Sequence, residues 1–420
     1  MALAIGMALP GVGFAADWPQ WRGPAGNGTS PETGLPSTWS TTENVSWRLA
    51  LPGPAGSTPA VSKDRIYLTS ADGESVVLIC ASTAGKELWR RTIAKGNKTI
   101  RKDEGNWASP SPATDGQHVW AFFGNGDLVC YTSAGKLVWK TNTQKLYGDF
   151  DHWHGMASSP LLVDDKLVVM CVQIKNSYVV ALDKLTGTEL WKHSRDTDAD
   201  HESKHSYASP VLYEDGSTRL LLIHGGDYTT AHSLGDGKEI WRCGSLNPKS
   251  DYNRFLRFVA SPTSEPGLVV VPSAKNHPIL GIDPAGKGNL DGTKHVSWRL
   301  KRGTSDVPTP TLSSGLVYNL RENGVLICID AKGGEKIYEQ RIHRTRQRAS
   351  PVLADGKLYV ASRDGEVFVI KEGREFEVLA KNTMGEEITA TPAIAGGRVY
   401  LRTWAALYAI EAPRKAASGD

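Results

Sequence analysis

The sequence predicts an all-β fold: an eight-bladed β-propeller of four-stranded antiparallel blades, its ring closed by the N-terminal strand. Three observations predict it. A Ser/Thr/Pro-Pro start, an apolar strand, a turn and a second apolar strand recur at Pro59, Pro112, Pro160, Pro210, Pro262, Pro310, Pro351 and Pro392, spaced 41 to 53 residues apart. A Gly- or Asp-containing turn and a short strand ending on an aromatic follow, as in CASTAGKELW to Trp89, CYTSAGKLVW to Trp139, ALDKLTGTELW to Trp191 and AHSLGDGKEIW to Trp241. The eighth unit stops after LYAIEA without an outer strand, and ENVSWRLALP (43–52) offers one, with Trp47 in the aromatic place. Four strands per unit at this period indicate propeller blades, and pairing the two ends removes two exposed sheet edges.

Composition agrees. At 420 residues the chain exceeds a usual single domain, yet a repeat fold accounts for all of it. Gly (43) and Pro (23) suit many short strands and turns. A net charge of +3 without a basic run argues against nucleic acid as partner.

Residues 1–16 read as a truncated export signal: an apolar stretch from Ala2 to Phe14, then Ala15 and Ala16, with no charged n-region. It is too short to span a membrane, and no later segment is long and apolar enough to do so. Residues 17–42 are an N-terminal extension, 43–412 the propeller and 413–420 a C-terminal tail. The first cysteine is Cys80, so a lipid anchor at the cleavage site is not expected. The five cysteines read as buried thiols on strands, and no CxxC suggests zinc.

In six of the eight units, residues eight places after the proline point the same way: Tyr67, Trp120, Val168, Tyr318, Tyr359 and Tyr400. The outer-strand aromatics are Trp47, Trp89, Trp139, Trp191, Trp241, Trp298, Tyr338 and Phe376, read as packing between blades and not as catalytic groups. In ALDKLTGTELW, Asp183 and Thr186 suit turn-backbone hydrogen bonds and Gly187 a tight bend.

The connections leading into each proline should rim one mouth of the channel. They carry Trp107; His152, Trp153 and His154; His201, His205 and Tyr207; Arg254 and Arg257; and Arg348, while the turns between middle strands add Arg321 and Arg363. Arginine forks suit carboxylate or phosphate and flat rings a planar or sugar-like partner, so a small anionic ligand at the mouth is one expectation. Solvated loops are the other. The paired histidines match no fixed metal signature, and no metal is expected. No GxSxG, HExxH, P-loop or GxGxxG in a strand–helix setting occurs.

ALDKLTGTELW resembles the tryptophan-docking motif of pyrroloquinoline quinone (PQQ) propeller repeats, with Asp183, Thr186, Gly187 and Trp191 on its defining places. Partial versions stand at Gly85/Trp89, Gly135/Trp139, Gly237/Trp241 and Asp330/Gly334/Tyr338. The opening DWPQWRGPAGNGTSPETGLPSTW is similar to the start of exported bacterial PQQ-like repeat proteins. The resemblance spans the mature chain and implies one of two branches. Quinoprotein dehydrogenases hold PQQ and calcium on the axis and oxidise alcohols or sugars; the BamB-like branch is a scaffold without catalysis. The adjacent cysteine pair and the calcium-ligand and catalytic Asp motifs of the enzymes find no match here, and neither does the lipid-attachment cysteine of BamB. The expectation is therefore an exported, periplasmic or cell-envelope binding or scaffold protein, monomeric and without cofactor, whose partner is an envelope protein or a small anionic ligand. The alternative is a PQQ-dependent oxidoreductase with calcium.

Overall fold

The computed structural model describes residues 17–100 and 105–413; the expected export signal at 1–16 and all but the first residue of the tail lie outside them. The described residues form eight antiparallel blades around a central axis. Blade 1, for example, comprises Ala60–Ser62, Arg65–Asp72, Ser75–Ser82 and Glu87–Lys95 from the axis outward. Its two middle strands are buried along almost their whole length, because neighbouring blades cover both faces. Blade 8 closes the ring as the sequence predicts: Val45–Ala50 pairs antiparallel with Ala406–Glu411, placing Trp47 opposite Ala409. All five cysteines are buried free thiols.

Two sets of hydrogen bonds pass from blade to blade. Near the axis, the residue before each repeat proline donates its backbone N–H to the hydroxyl of its equivalent in the next blade. The links run Thr58→Ser111→Ser159→Ser209→Ser261→Thr309→Ser350→Thr391, each 2.9–3.0 Å. Where the last blade meets the first, the Thr58 hydroxyl is buried without a partner. Arg402 bridges that junction instead, donating to Thr69 O (2.6 Å), Ser70 Oγ (3.3 Å) and the Ser57 carbonyl (3.3 Å) and hydroxyl of blade 1. Burial lowers the pKa of its guanidinium to about 9.

At the rim, each tryptophan donates its indole N–H to a carbonyl in the outer turn of the next blade. The pairs are Trp47 to Thr83, Trp89 to Ser133, Trp139 to Lys184, Trp191 to Leu234, Trp241 to Pro284 and Trp298 to Ala331, at 2.8–3.2 Å. In every pair but that of Trp241, the ring then lies on the turn glycine. Gly187 has φ +73°, and a Cβ there would meet Trp139 at 2.8 Å. Asp183 Oδ1 accepts from Leu185 N, Thr186 N and Thr186 Oγ1 at 2.8–3.0 Å, which fixes the turn that the ring covers.

Blade 7 departs from the expectation. Phe376 lies ahead of the outer strand Val378–Thr383, where it packs 5.6 Å from Tyr338. The register places Ala380, opposite Val369, in the aromatic slot. Trp39 of the extension fills the space. It stacks 6.3 Å from Tyr359, as Trp89 lies 6.1 Å from Tyr67 and Trp47 6.0 Å from Tyr400. Its backbone N–H donates to Asn382 Oδ1 at 2.8 Å.

The rest of the extension crosses the channel at the end away from the mouth. Trp18 pairs with Val61, Pro19 O accepts from Thr114 N, and Gln20 Oε1 accepts from Leu162 N. On the far side Arg22, fully buried, donates to Pro310 O and Pro351 O, both at 2.8 Å, and to Thr311 Oγ1 at 2.9 Å. Trp21 lines the cavities on both sides of this crossing.

Truncating Trp191 to Ala should lower stability by about 3–5 kcal/mol in denaturant unfolding, as loss of a large packed ring. Ser209→Ala, which leaves the buried Ser159 N–H without an acceptor, should cost about 1–3 kcal/mol; curves superimposable on wild type would contradict both assignments.

Candidate functional site

The mouth is built from the connections that enter the blades, those of blades 1, 2 and 8 included. It leads to an axial cavity of about 220 Å3 floored by Trp21, with Met156 and the serine and threonine ring on its wall. Four of the residues singled out in the sequence line it: His154, Tyr207, Arg257 and Arg348.

Charge at this mouth is organised around Glu202, on the short 3-10 turn His201–Lys204. Its carboxylate lies 3.0 Å from Arg257 Nη1, 3.7 Å from Lys275 Nζ and 3.8 Å from His154 Nε2. Arg257 Nη2 also lies 3.6 Å from Asp306. Burial holds the Asp306 carboxyl above its usual range, opposed by Arg257. Arg257 is thus shared between two mostly buried carboxylates, the arrangement that makes a buried charge tolerable.

Beside the cavity stands an aromatic and histidine cluster. His152 Nε2 donates to Val172 O at 2.9 Å. The buried His205 ring has Nδ1 3.4 Å from the Tyr207 hydroxyl. Trp153 meets His201 and His205 edge-on at 4.7 and 5.1 Å, and Phe255 meets His201 at 4.9 Å. Trp153 and Phe255 are each about half exposed, at 48% and 49%. Among the described residues no three His, Cys, Asp or Glu converge to hold a metal.

The remaining residues singled out lie apart from the cavity lining. Arg254 pairs with Asp200 on the exposed rim at 3.0 Å. Trp107 is partly buried and packs against the core between blades 1 and 2. Arg321 faces Glu339 at 4.0 Å, and Arg363 lies 3.7 Å from Glu387 and over Trp404. Sequence reasoning did not single out Glu202, Asp306, Lys275 or Trp21. The signal available for Glu202 was its place in DADHESKHSYASP, whose histidines drew attention first.

Comparison with known proteins gives a family. The family described as "Outer membrane protein assembly factor BamB" matches residues 74–339 and 289–417. The outer membrane protein assembly factor BamB of Yersinia pestis is 21% identical over 340 residues, covering 79% of each chain. In structure, BamB from Moraxella catarrhalis aligns with a TM-score of 0.62 at 14% identity, covering 88% of this chain and 98% of that one. A europium-containing methanol dehydrogenase aligns with a TM-score of 0.71 at 14% identity, covering 90% and 87%. At these identities the structural likenesses establish the shared fold alone.

The histidines give the mouth a pH signature. Burial lowers His152 and His205 to about 4, against about 6.5 in the unfolded chain. Between these values the unfolded state binds more protons, so stability is full above about pH 6.5 and falls as pH drops toward 4. Urea unfolding across this range should show that decline, with a shallower slope in His205→Gln; an equal slope in the variant would remove His205 from the account.

Proposed function

The chain belongs to the family described as outer membrane protein assembly factor BamB, and from this membership we propose that it is an exported, non-catalytic propeller that docks a protein partner in the cell envelope. The observation that carries the reading is the family match, which runs from residue 74 to 417 and leaves out the N-terminal extension, the closing strand and the first half of blade 1. The mouth geometry supports it. Two half-exposed aromatics, Trp153 and Phe255, flank His201 beside the Arg254–Asp200 pair. Large rings framed by charged groups are the side chains that anchor protein interfaces. No helix among the described residues is long and apolar enough to cross a membrane.

PQQ with calcium is the group that the wider fold implies, and the axial residues do not fit it. The quinone carries three carboxylates, whereas Arg257 is already matched by Glu202 and Asp306. Calcium takes six to eight oxygen ligands, usually including carboxylates, and the acidic side chains here are committed to cations. On this reading the protein works without the cofactor.

Chemical crosslinking in intact cells should yield a discrete adduct with an envelope protein that is lost in the Trp153→Ala/Phe255→Ala variant. Titration with PQQ and calcium should show no stoichiometric binding. An adduct unchanged in the variant would move the docking surface elsewhere; tight PQQ binding with dye-linked turnover of alcohols or sugars would replace the scaffold reading with an oxidoreductase.

A further inference from the structure

The positive charge that the axis balances internally is left unbalanced next to it. Beside the mouth, between the loop that follows the outer strand of blade 4 and the mid-blade turn of blade 5, lies a pocket of about 490 Å3. Lys275, His277, Arg299, Lys301 and Arg302 line it against a single acid, Asp251; of these, Lys275 is already 3.7 Å from Glu202, so the unbalanced charge is that of the blade 5 outer strand and its exit. Its basic residues come from two stretches of chain some twenty-five positions apart, which explains why no basic run is visible in the sequence.

The site is held in shape. Ser273 N–H donates to Thr304 Oγ1 at 3.0 Å and Thr304 N–H to His277 O at 3.3 Å, fastening the turn to the exit of the outer strand. Within the turn, Ser273 Oγ donates to Pro278 O at 2.6 Å. Lys275 and Asn276 both take left-handed backbone, with φ +50° and +63°, a conformation unfavourable for residues with side chains and kept only where surrounding structure imposes it. Arg299 donates to Ser245 O at 2.7 Å, drawing the blade 4 loop in as a third wall. Lys301 and Arg302 are exposed and make no ion pair among the described residues. Burial, opposed by Asp251 and reinforced by Arg302 and Lys275, keeps His277 below its ordinary pKa.

A concave surface lined by one sign of charge concentrates counter-ions. Cations presented from separate walls match an anion with several oxygens around one centre better than a single carboxylate, which offers two oxygens in one plane. We propose that this pocket binds a phosphate group, carried either by a free phosphorylated molecule or by the headgroup of an anionic lipid. The proposal is independent of the docking role assigned to the mouth.

The test uses inorganic pyrophosphate in calorimetric titration and vesicles of phosphatidylglycerol or phosphatidylcholine in co-sedimentation. The wild-type chain should bind pyrophosphate, phosphatidylglycerol vesicles or both, more weakly as salt rises, and leave phosphatidylcholine vesicles in solution. Lys301→Ser/Arg302→Ser, at two exposed positions, should weaken binding by roughly tenfold or more with an unchanged melting curve. Lys301→Gln alone keeps the test readable if the double variant melts lower. Loss of pyrophosphate binding without any vesicle binding identifies a free phosphorylated ligand, and loss of phosphatidylglycerol binding identifies a headgroup. Absence of both activities in the wild type, or equal binding by the variants, overturns the proposal.

Discussion

The structure depends on one repeated hand-over at the axis. Eight strands converge there, and the backbone N–H preceding each proline is buried. An unsatisfied buried N–H costs about 1–3 kcal/mol, and the acceptor supplied is the hydroxyl of the next blade, on a side chain short enough for the crowded centre. Because donor and acceptor sit on different blades, each bond fixes the rotation between them. The tryptophans at the rim exploit that same rotation, since an indole reaches the neighbouring turn only if the blades are correctly set. Where the last blade meets the first, a long, multiply donating guanidinium takes the place of a short hydroxyl.

Most of this was legible because it repeats over short distances. The proline ladder, the aromatic strands and closure by residues near Trp47 follow from spacing, and the register confirms them. What was illegible is non-local. Phe376 occupies a plausible place in the string, but strand register selects Ala380, and the compensating Trp39 lies more than three hundred residues away in sequence. At the mouth, the position of the loops could be read, but the partners of their side chains could not. Arg257 looked like a free anion receptor until Glu202 and Asp306, from neighbouring blades, were seen to share it.

Charge is sorted by burial. Near the axis, desolvation makes every charge expensive, and Arg257, Glu202 and Asp306 neutralise one another there; Arg22 and Arg402 lie among carbonyls and hydroxyls and have depressed pKa values of about 9. Farther out, water tolerates imbalance, and Lys301 and Arg302 remain uncompensated. A chain that is nearly neutral as a whole therefore presents distinct chemical surfaces within a single face.

The path of the extension has a consequence for the order in which the molecule is completed. The N-terminal segment contacts blades at both ends of the sequence: Trp18 pairs with Val61 of blade 1, whereas Gly397 N donates to Glu32 Oε2 across 365 positions and the strand near Trp47 pairs with the last strand of all. The earliest-synthesised part of the described chain thus reaches its final partners only when the latest-synthesised part has emerged. A linear repeat array consolidates progressively from one end, each unit resting on its predecessor. Here topology imposes a high contact order, and the N-terminal closing strand stays unpaired until the last blade arrives. Completion is a single terminal event, and any factor that shields the nascent chain must act until its final strand is available.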